Sequence, residues 1–306
     1  MLAFIRKAFY SFIWREATTR KSKGFSSLAL NSSECMEERE IIKMKIGFIG
    51  GGNMAGAIIG GIEKKIYTPE QIAASGKDTM SLENLHNKYG IQITEDNKVI
   101  VEQCDVVFLS VKPQVLSAVI AEISPMVKEN QLFVSIAAGK NIAWIEQEFG
   151  KEIRLVRVMP NTPALVGEGC AGLCANANVN EKEMELVKTI FDSCGSSYQV
   201  PEHLIDVVGA VAGSAPAFVF MFMEAMADAA VAGGMPRDMA YKMAAQTVLG
   251  SGKLMLETGK HPGSLKDMVC SPGGTTICGV KVLEEQGMRG AIMNAIDSCI
   301  QKSKKI

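Results

Sequence analysis

Residues 45–49 form a short apolar run that ends in Gly50-Gly51-Gly52-Asn53-Met54-Ala55, and residues 53–63 continue with helical spacing. The glycine segment matches G-x-G-x-x-G/A between a strand and a helix, the context that gives this spacing a physical meaning. Gly50 permits the tight turn, Gly52 lets the backbone approach a pyrophosphate, and Ala55 lets helix and strand pack closely. Asn53 and Met54 open a helix whose free N–H groups and positive dipole end face the phosphates. The competing account is a glycine turn with no ligand, and the flanking strand and helix weigh against it. The unit predicts a dinucleotide-binding α/β domain.

The pattern beyond it agrees. Residues 72–74, 91–94, 106–110, 132–136 and 154–159 are strand-length runs with helix-like segments between them, and 172–175 and 197–200 add strands around a helix at 181–192. That alternation predicts a Rossmann-type, doubly wound parallel sheet over 44–203. After His203 the β-branched runs stop, so 204–306 reads as an all-helical domain. Within it, 207–223 holds seventeen uncharged residues, just under the roughly 20 that span a bilayer. Pro216 and Ser214 interrupt the run, and Glu224 and Asp228 follow it, so it reads as a helix buried in a core or subunit interface, without a membrane span.

The strand ends suggest which dinucleotide binds. An NAD site usually carries an acid at the tip of the second strand. Here the tip reads Ala73-Ala74-Ser75-Gly76-Lys77. The hydroxyl of Ser75 and the cation of Lys77 suit a 2′-phosphate, favouring NADPH; Asp78, one residue on, keeps NADH open. Ser110 and Lys112, in Ser110-Val111-Lys112-Pro113, and Ala138, in Ala137-Ala138-Gly139, close the fourth and fifth strands, where ligands bind in this architecture. For Lys112 a solvated loop lysine is the alternative.

Composition removes several function classes. The chain has 306 residues, 47% hydrophobic and 21% charged, which is enough to bury a sizeable core. Lys+Arg 32 against Asp+Glu 33 argues against nucleic acid as a partner. Eight Cys and three His (His86, His203, His261) are scattered, and the one close cysteine pair, Cys170 and Cys174, has no His nearby. No metal centre or disulfide framework is favoured, and a reducing, cytoplasmic setting is expected.

Residues 1–43 read differently. Arg6, Lys7, Arg15, Arg20, Lys21 and Lys23 face Glu16 alone before residue 24, whereas 44–306 carries 24 basic and 28 acidic residues. Arg6, Lys7 and Arg15 interrupt any secretory apolar stretch. A start misassigned upstream of Met44, a transit or anchor segment and a disordered tail stay open as readings of this extension.

Four segments together carry a resemblance: Phe48-Ile49-Gly50-Gly51-Gly52-Asn53-Met54-Ala55, Ser110-Val111-Lys112-Pro113, Met159-Pro160-Asn161-Thr162-Pro163, and 266–276 ending in Cys270-Ser271-Pro272-Gly273-Gly274-Thr275-Thr276. In order and spacing, about 44–303 resembles pyrroline-5-carboxylate reductase, which reduces the ring C=N of 1-pyrroline-5-carboxylate to L-proline with NAD(P)H. The resemblance implies a Rossmann domain followed by a helical dimerisation domain, often in rings of dimers. It also implies that Ser271, Gly274 and Thr275 hold the substrate carboxylate and that the Thr276 hydroxyl bonds the ring nitrogen. Asn97 would lie near the adenosine ribose and Asn161 beside the nicotinamide. By composition alone, 271–276 is equally a helix cap or an anion-binding nest, Asn97 an N-cap, and Asn161 a turn residue satisfying backbone N–H groups. Two rival functions remain: a related Rossmann reductase of another cyclic imine or a hydroxy acid, and a non-catalytic nucleotide-binding protein. A hydroxy-acid enzyme of this shape would usually place a catalytic lysine in the first interdomain helix, and 209–223 has none; the non-catalytic protein predicts erosion of the 271–276 loop, which is intact.

Overall fold

The computed structural model describes residues 44–304, so the readings of 1–43 lie outside the described residues. Eight strands form one sheet: β1 (Ile46–Ile49), β2 (Ile72–Ser75), β3 (Gln92–Thr94), β4 (Val106–Leu109), β5 (Leu132–Ser135), β6 (Arg154–Met159), β7 (Gly169–Ala175) and β8 (Gly195–Gln199). Their order is β3-β2-β1-β4-β5-β6-β7-β8. The first six are parallel, in the order of a dinucleotide-binding sheet.

Both faces of this sheet are covered, so its strands are apolar at successive positions and not merely at alternate ones. Ile46, Phe48, Val106, Phe108, Val134, Val156 and Val158 pack in one cluster with α1 (Asn53–Lys65), α2 (Thr79–Tyr89) and a later helix at 181–192. Phe48 and Phe108 stack there with ring centroids 4.5 Å apart. On the other face Ile49, Val107, Leu109, Phe133 and Leu155 meet α3 (Asn97–Gln103), α4 (Pro113–Ile123) and α5 (Ile142–Phe149).

The prediction of a parallel sheet fails at one junction. β6 and β7 are antiparallel, with Val158 opposite Leu173. Only residues 160–168 separate them, fewer than the dozen or so that a parallel crossover needs. From β7 the chain crosses through α6 (Glu181–Asp192) to a parallel β8.

From Glu202 to Ala232 the chain runs as one helix of mixed winding: a 3₁₀ turn, α7 (Ile205–Val208), π-helical turns over Gly209–Ser214, and α8 (Ala215–Ala232). There follow α9 (Arg237–Thr258), α10 (Pro262–Val269), α11 (Thr275–Glu285) and α12 (Met288–Ser303). Among the described residues, α10, α11 and α12 contain no buried residue. The Glu202–Ala232 helix is long and apolar enough to cross a membrane by length and composition, and 17% of its most apolar window is buried. A place inside this chain's own core, one of two expected for 207–223, is therefore not what the fold provides.

Candidate active site

The parallel strands end in register. Ile49 pairs with Ser75 on one side and Leu109 on the other, and Leu109 pairs with Ser135. The loops after β1, β2, β4 and β5 thus share one rim of the sheet.

At the centre of that rim Gly50 has φ +107°. A Cβ on it would come within 2.6 Å of the Ser110 carbonyl oxygen, so both backbone angle and space require glycine. Its N–H donates to Ser75 O at 2.7 Å. Gly52 is the N-cap of α1 and offers no side-chain cap, and the first turn carries no acid. A Cβ on Gly52 would meet nothing within 4 Å. The start of α1 is thus an open cradle of backbone N–H groups, which fits the pyrophosphate of a dinucleotide. Asn53 is exposed, Met54 half-buried, and Ala55 buried against the sheet.

The corner after β2 separates residues that looked equivalent in sequence. Ser75 is fully buried, and its Oγ donates to Asn97 Oδ1 at 2.8 Å. Its hydroxyl is thus engaged by Asn97, which favours a bracing role over the direct contact with a 2′-phosphate expected from the sequence. Asn97 is not an N-cap either. Asp96 caps α3, accepting from the Lys98 N–H, while Asn97, 8% exposed, donates through Nδ2 to Glu122 Oε2 at 2.9 Å. Lys77 is exposed and makes no ion pair among the described residues. Asp78 is the N-cap of α2, accepting from the Ser81 N–H and hydroxyl. The Ser81 hydroxyl and amide hold the Asp78 carboxyl below its ordinary range. The acid is thereby committed to the helix, which leaves Lys77 as the open charge at this tip.

Along the rim Ser110 turns its hydroxyl toward the glycine loop, with Oγ 3.0 Å from Ile49 O and 2.8 Å from Gly50 O. It positions the loop from beneath. Lys112 is the exposed N-cap residue of α4, and Ala138 is exposed just past β5. Asn161 is 7% exposed. Its Oδ1 accepts from the Cys170 N–H at 2.8 Å and its Nδ2 donates to Ala212 O at 3.0 Å. Both ends of the amide are engaged by backbone, which favours the turn-residue reading over a direct cofactor contact.

The loop at 271–276 has the geometry of an anion nest. Gly274 N donates to Ser271 O at 3.0 Å, closing a turn with Pro272 second and Gly273 third at φ +68°, a position that glycine fits. Gly274 then caps α11 with no side-chain hydrogen bond. The exposed hydroxyls of Ser271, Thr275 and Thr276 take no partner among the described residues, so they do not act as caps. Within the chain α11 packs on α12 and contains no buried residue. Sequence reasoning missed Glu122 behind Asn97 and the π turns beside Asn161. Pro216 was the available signal for the latter, because it leaves a carbonyl four residues back without its helical donor.

Comparison with known proteins agrees with this geometry. The family described as "Pyrroline-5-carboxylate reductase dimerisation" matches residues 202–306, and the one described as "NADP oxidoreductase coenzyme F420-dependent" matches 45–139. The chain is 46% identical to pyrroline-5-carboxylate reductase of Escherichia coli (strain K12) over 266 residues, 87% of this chain and 99% of that protein. The solved pyrroline-5-carboxylate reductase of Coxiella burnetii aligns with TM-score 0.81 and 36% identity, covering 86% of this chain and 98% of that one. The Plasmodium falciparum pyrroline carboxylate reductase with NADP bound aligns with TM-score 0.77 and 33% identity, covering 87% and 98%. With both halves of the fold matched and a relative covered almost end to end, the chain belongs to the pyrroline-5-carboxylate reductase family.

Proposed function

We propose that this chain reduces the ring C=N of 1-pyrroline-5-carboxylate to L-proline, the last step of proline biosynthesis, with NADPH as hydride donor. One observation carries the reading. An uncapped glycine cradle on a parallel sheet and an uncapped, hydroxyl-rich nest occur together in a chain of this family. Gly50, Gly52, Asn53 and Met54 hold the pyrophosphate, Ala55 packs the cradle's helix onto the strand, and Lys77 pairs with the 2′-phosphate. Lys112 and Ala138 border the nicotinamide half. When bound, the cofactor supplies the hydride.

An iminium carbon is already electrophilic, so the protein's task is placement and exclusion of water. In this reading the Ser271–Gly274 turn and the first N–H groups of α11 bind the substrate carboxylate. The Thr276 hydroxyl, two residues past the Gly274 cap, orients the protonated ring nitrogen. The nest and α11 stay uncovered in one chain within the region that matches a dimerisation family, so in this reading a second copy completes the site. Residues 44–203 are then the cofactor domain and 204–306 the substrate and dimerisation domain, in dimers that assemble further into rings. The scattered cysteines of the sequence favour a reducing, cytoplasmic location.

The test is NADPH oxidation on adding pyrroline-5-carboxylate, with L-proline identified as product. Turnover without proline, or none, defeats the reading.

A further inference from the structure

The helix that leads from the sheet into the helical region loses α geometry where it passes the rim. Over Gly209–Ser214 it winds as π turns, and the Ala215 N–H reaches back to Ala210 O. Pro216 has no N–H, so Ala212 O, four residues earlier, lacks its α-helical donor. Asn161 Nδ2 takes that place at 3.0 Å, while its Oδ1 accepts from the Cys170 N–H. Met159, the last residue of β6, packs on the same turns: a Cβ on Gly209 or Gly213 would stand 3.2 or 3.3 Å from Met159 Cε. Turns of this kind recur at functional sites.

Asn161 therefore joins the end of β6, the start of β7 and the π turns through one buried amide. We propose that Asn161 is a positioning residue for hydride transfer: its bond to Ala212 O sets the angle between the helical region and the cofactor rim. A second copy docks through the helical region, so that angle determines where the substrate nest arrives over the nicotinamide. This rests on the reductase reading above. The rival role is bland. Asn161 could merely satisfy an orphaned carbonyl, and then any donor to Ala212 O would serve as well.

Pro216 separates the two. Replacing it by alanine returns an N–H at 216 that can satisfy Ala212 O from within the helix, without a tie to the sheet. Asn161→Ala, Pro216→Ala and the double variant are compared by steady-state kinetics and thermal melting. Asn161→Ala is expected to lose roughly 10–100-fold in kcat, as small misplacements do, with the NADPH KM changed less than about twofold and a lowered Tm. In the double variant Tm recovers and kcat stays low. Recovery of kcat together with Tm overturns the proposal, as does a wild-type kcat in Asn161→Ala. If Asn161→Ala does not fold, Asn161→Asp replaces it, because the carboxylate keeps the Cys170 bond and has no donor for Ala212 O. A wild-type protein without turnover would instead defeat the reductase reading itself, before any variant is compared.

Discussion

Lys77 and Asp78 stand side by side at the adenosine corner with opposite charges, and helix capping decides which of them faces a ligand. The Asp78 carboxylate is spent on Ser81, while Lys77 is open to solvent. Lys77→Ala should therefore weaken NADPH by roughly tenfold, as expected for a lost charge-assisted contact, and leave NADH nearly unchanged. Equal losses in titrations of the two cofactors would remove Lys77 from the phosphate. Ser75 makes the opposite case, because its hydroxyl is buried against Asn97. Ser75→Ala should cost about 1–2 kcal/mol of stability in urea unfolding and leave the NADPH/NADH ratio where it was. A changed ratio would return Ser75 to the cofactor. At the substrate nest, Thr276→Val keeps size and shape while deleting the hydroxyl. A fall of roughly 10–100-fold in kcat/KM is expected, with NADPH affinity held. An unchanged kcat/KM would exclude Thr276 from the reaction.

Elements show where sequence reasoning works and where it stops. The eight strands and the 181–192 helix are legible because each is an apolar run or a periodic segment between turn residues. The direction of β7 is not, since the hydrophobic pattern of a buried strand is the same whichever way it runs. The short connection over 160–168 carried that information instead. Site residues divide in the same way. Glycines are legible because their backbone demands are local, whereas Ser75 meets Asn97 from 22 residues away and Asn161 meets Ala212 from 51. A further long-range tie was also invisible. Arg157 in β6, with its side chain 7% exposed, pairs at 3.1 Å with Glu202, at the root of the long helix. The same Glu202 oxygen accepts from the Ile142 N–H at the start of α5. Glu202→Ala should leave the guanidinium buried without a counter-charge. Because Glu202 is itself 36% exposed, the cost is about 2 kcal/mol, below the 3–5 of a fully buried pair. Denaturant melts of this variant and of Arg157→Met distinguish the effects, since the apolar replacement removes the stranded charge and should cost less. Equal losses would show that packing, not charge, holds this joint.

At the scale of the molecule, one chain leaves its helical region uncovered. Phe220, Met221, Leu256 and Met293 are exposed at 63%, 68%, 80% and 70%, and α10, α11 and α12 contain no buried residue. Residues 202–306 match a dimerisation family, so a second copy is the cover. If that copy also carries the substrate nest to the rim, each site draws on two chains, and two differently damaged subunits should repair one another. Gly52→Asp disables the cradle without a steric clash, because a Cβ there meets nothing within 4 Å; its carboxylate repels the pyrophosphate. Thr276→Val disables the nest. Each variant alone is expected to keep about a tenth of the activity or less. Unfolded together and refolded, random pairing makes half the dimers mixed, each with one intact cradle facing one intact nest, so activity should reach about a quarter of the wild-type value. If cradle and nest served the same site within one chain, mixed dimers would hold no intact site and the mixture would stay as inactive as its parents. Light scattering on the same samples identifies the species that carries the activity, and a fully active monomer would refute the shared site outright.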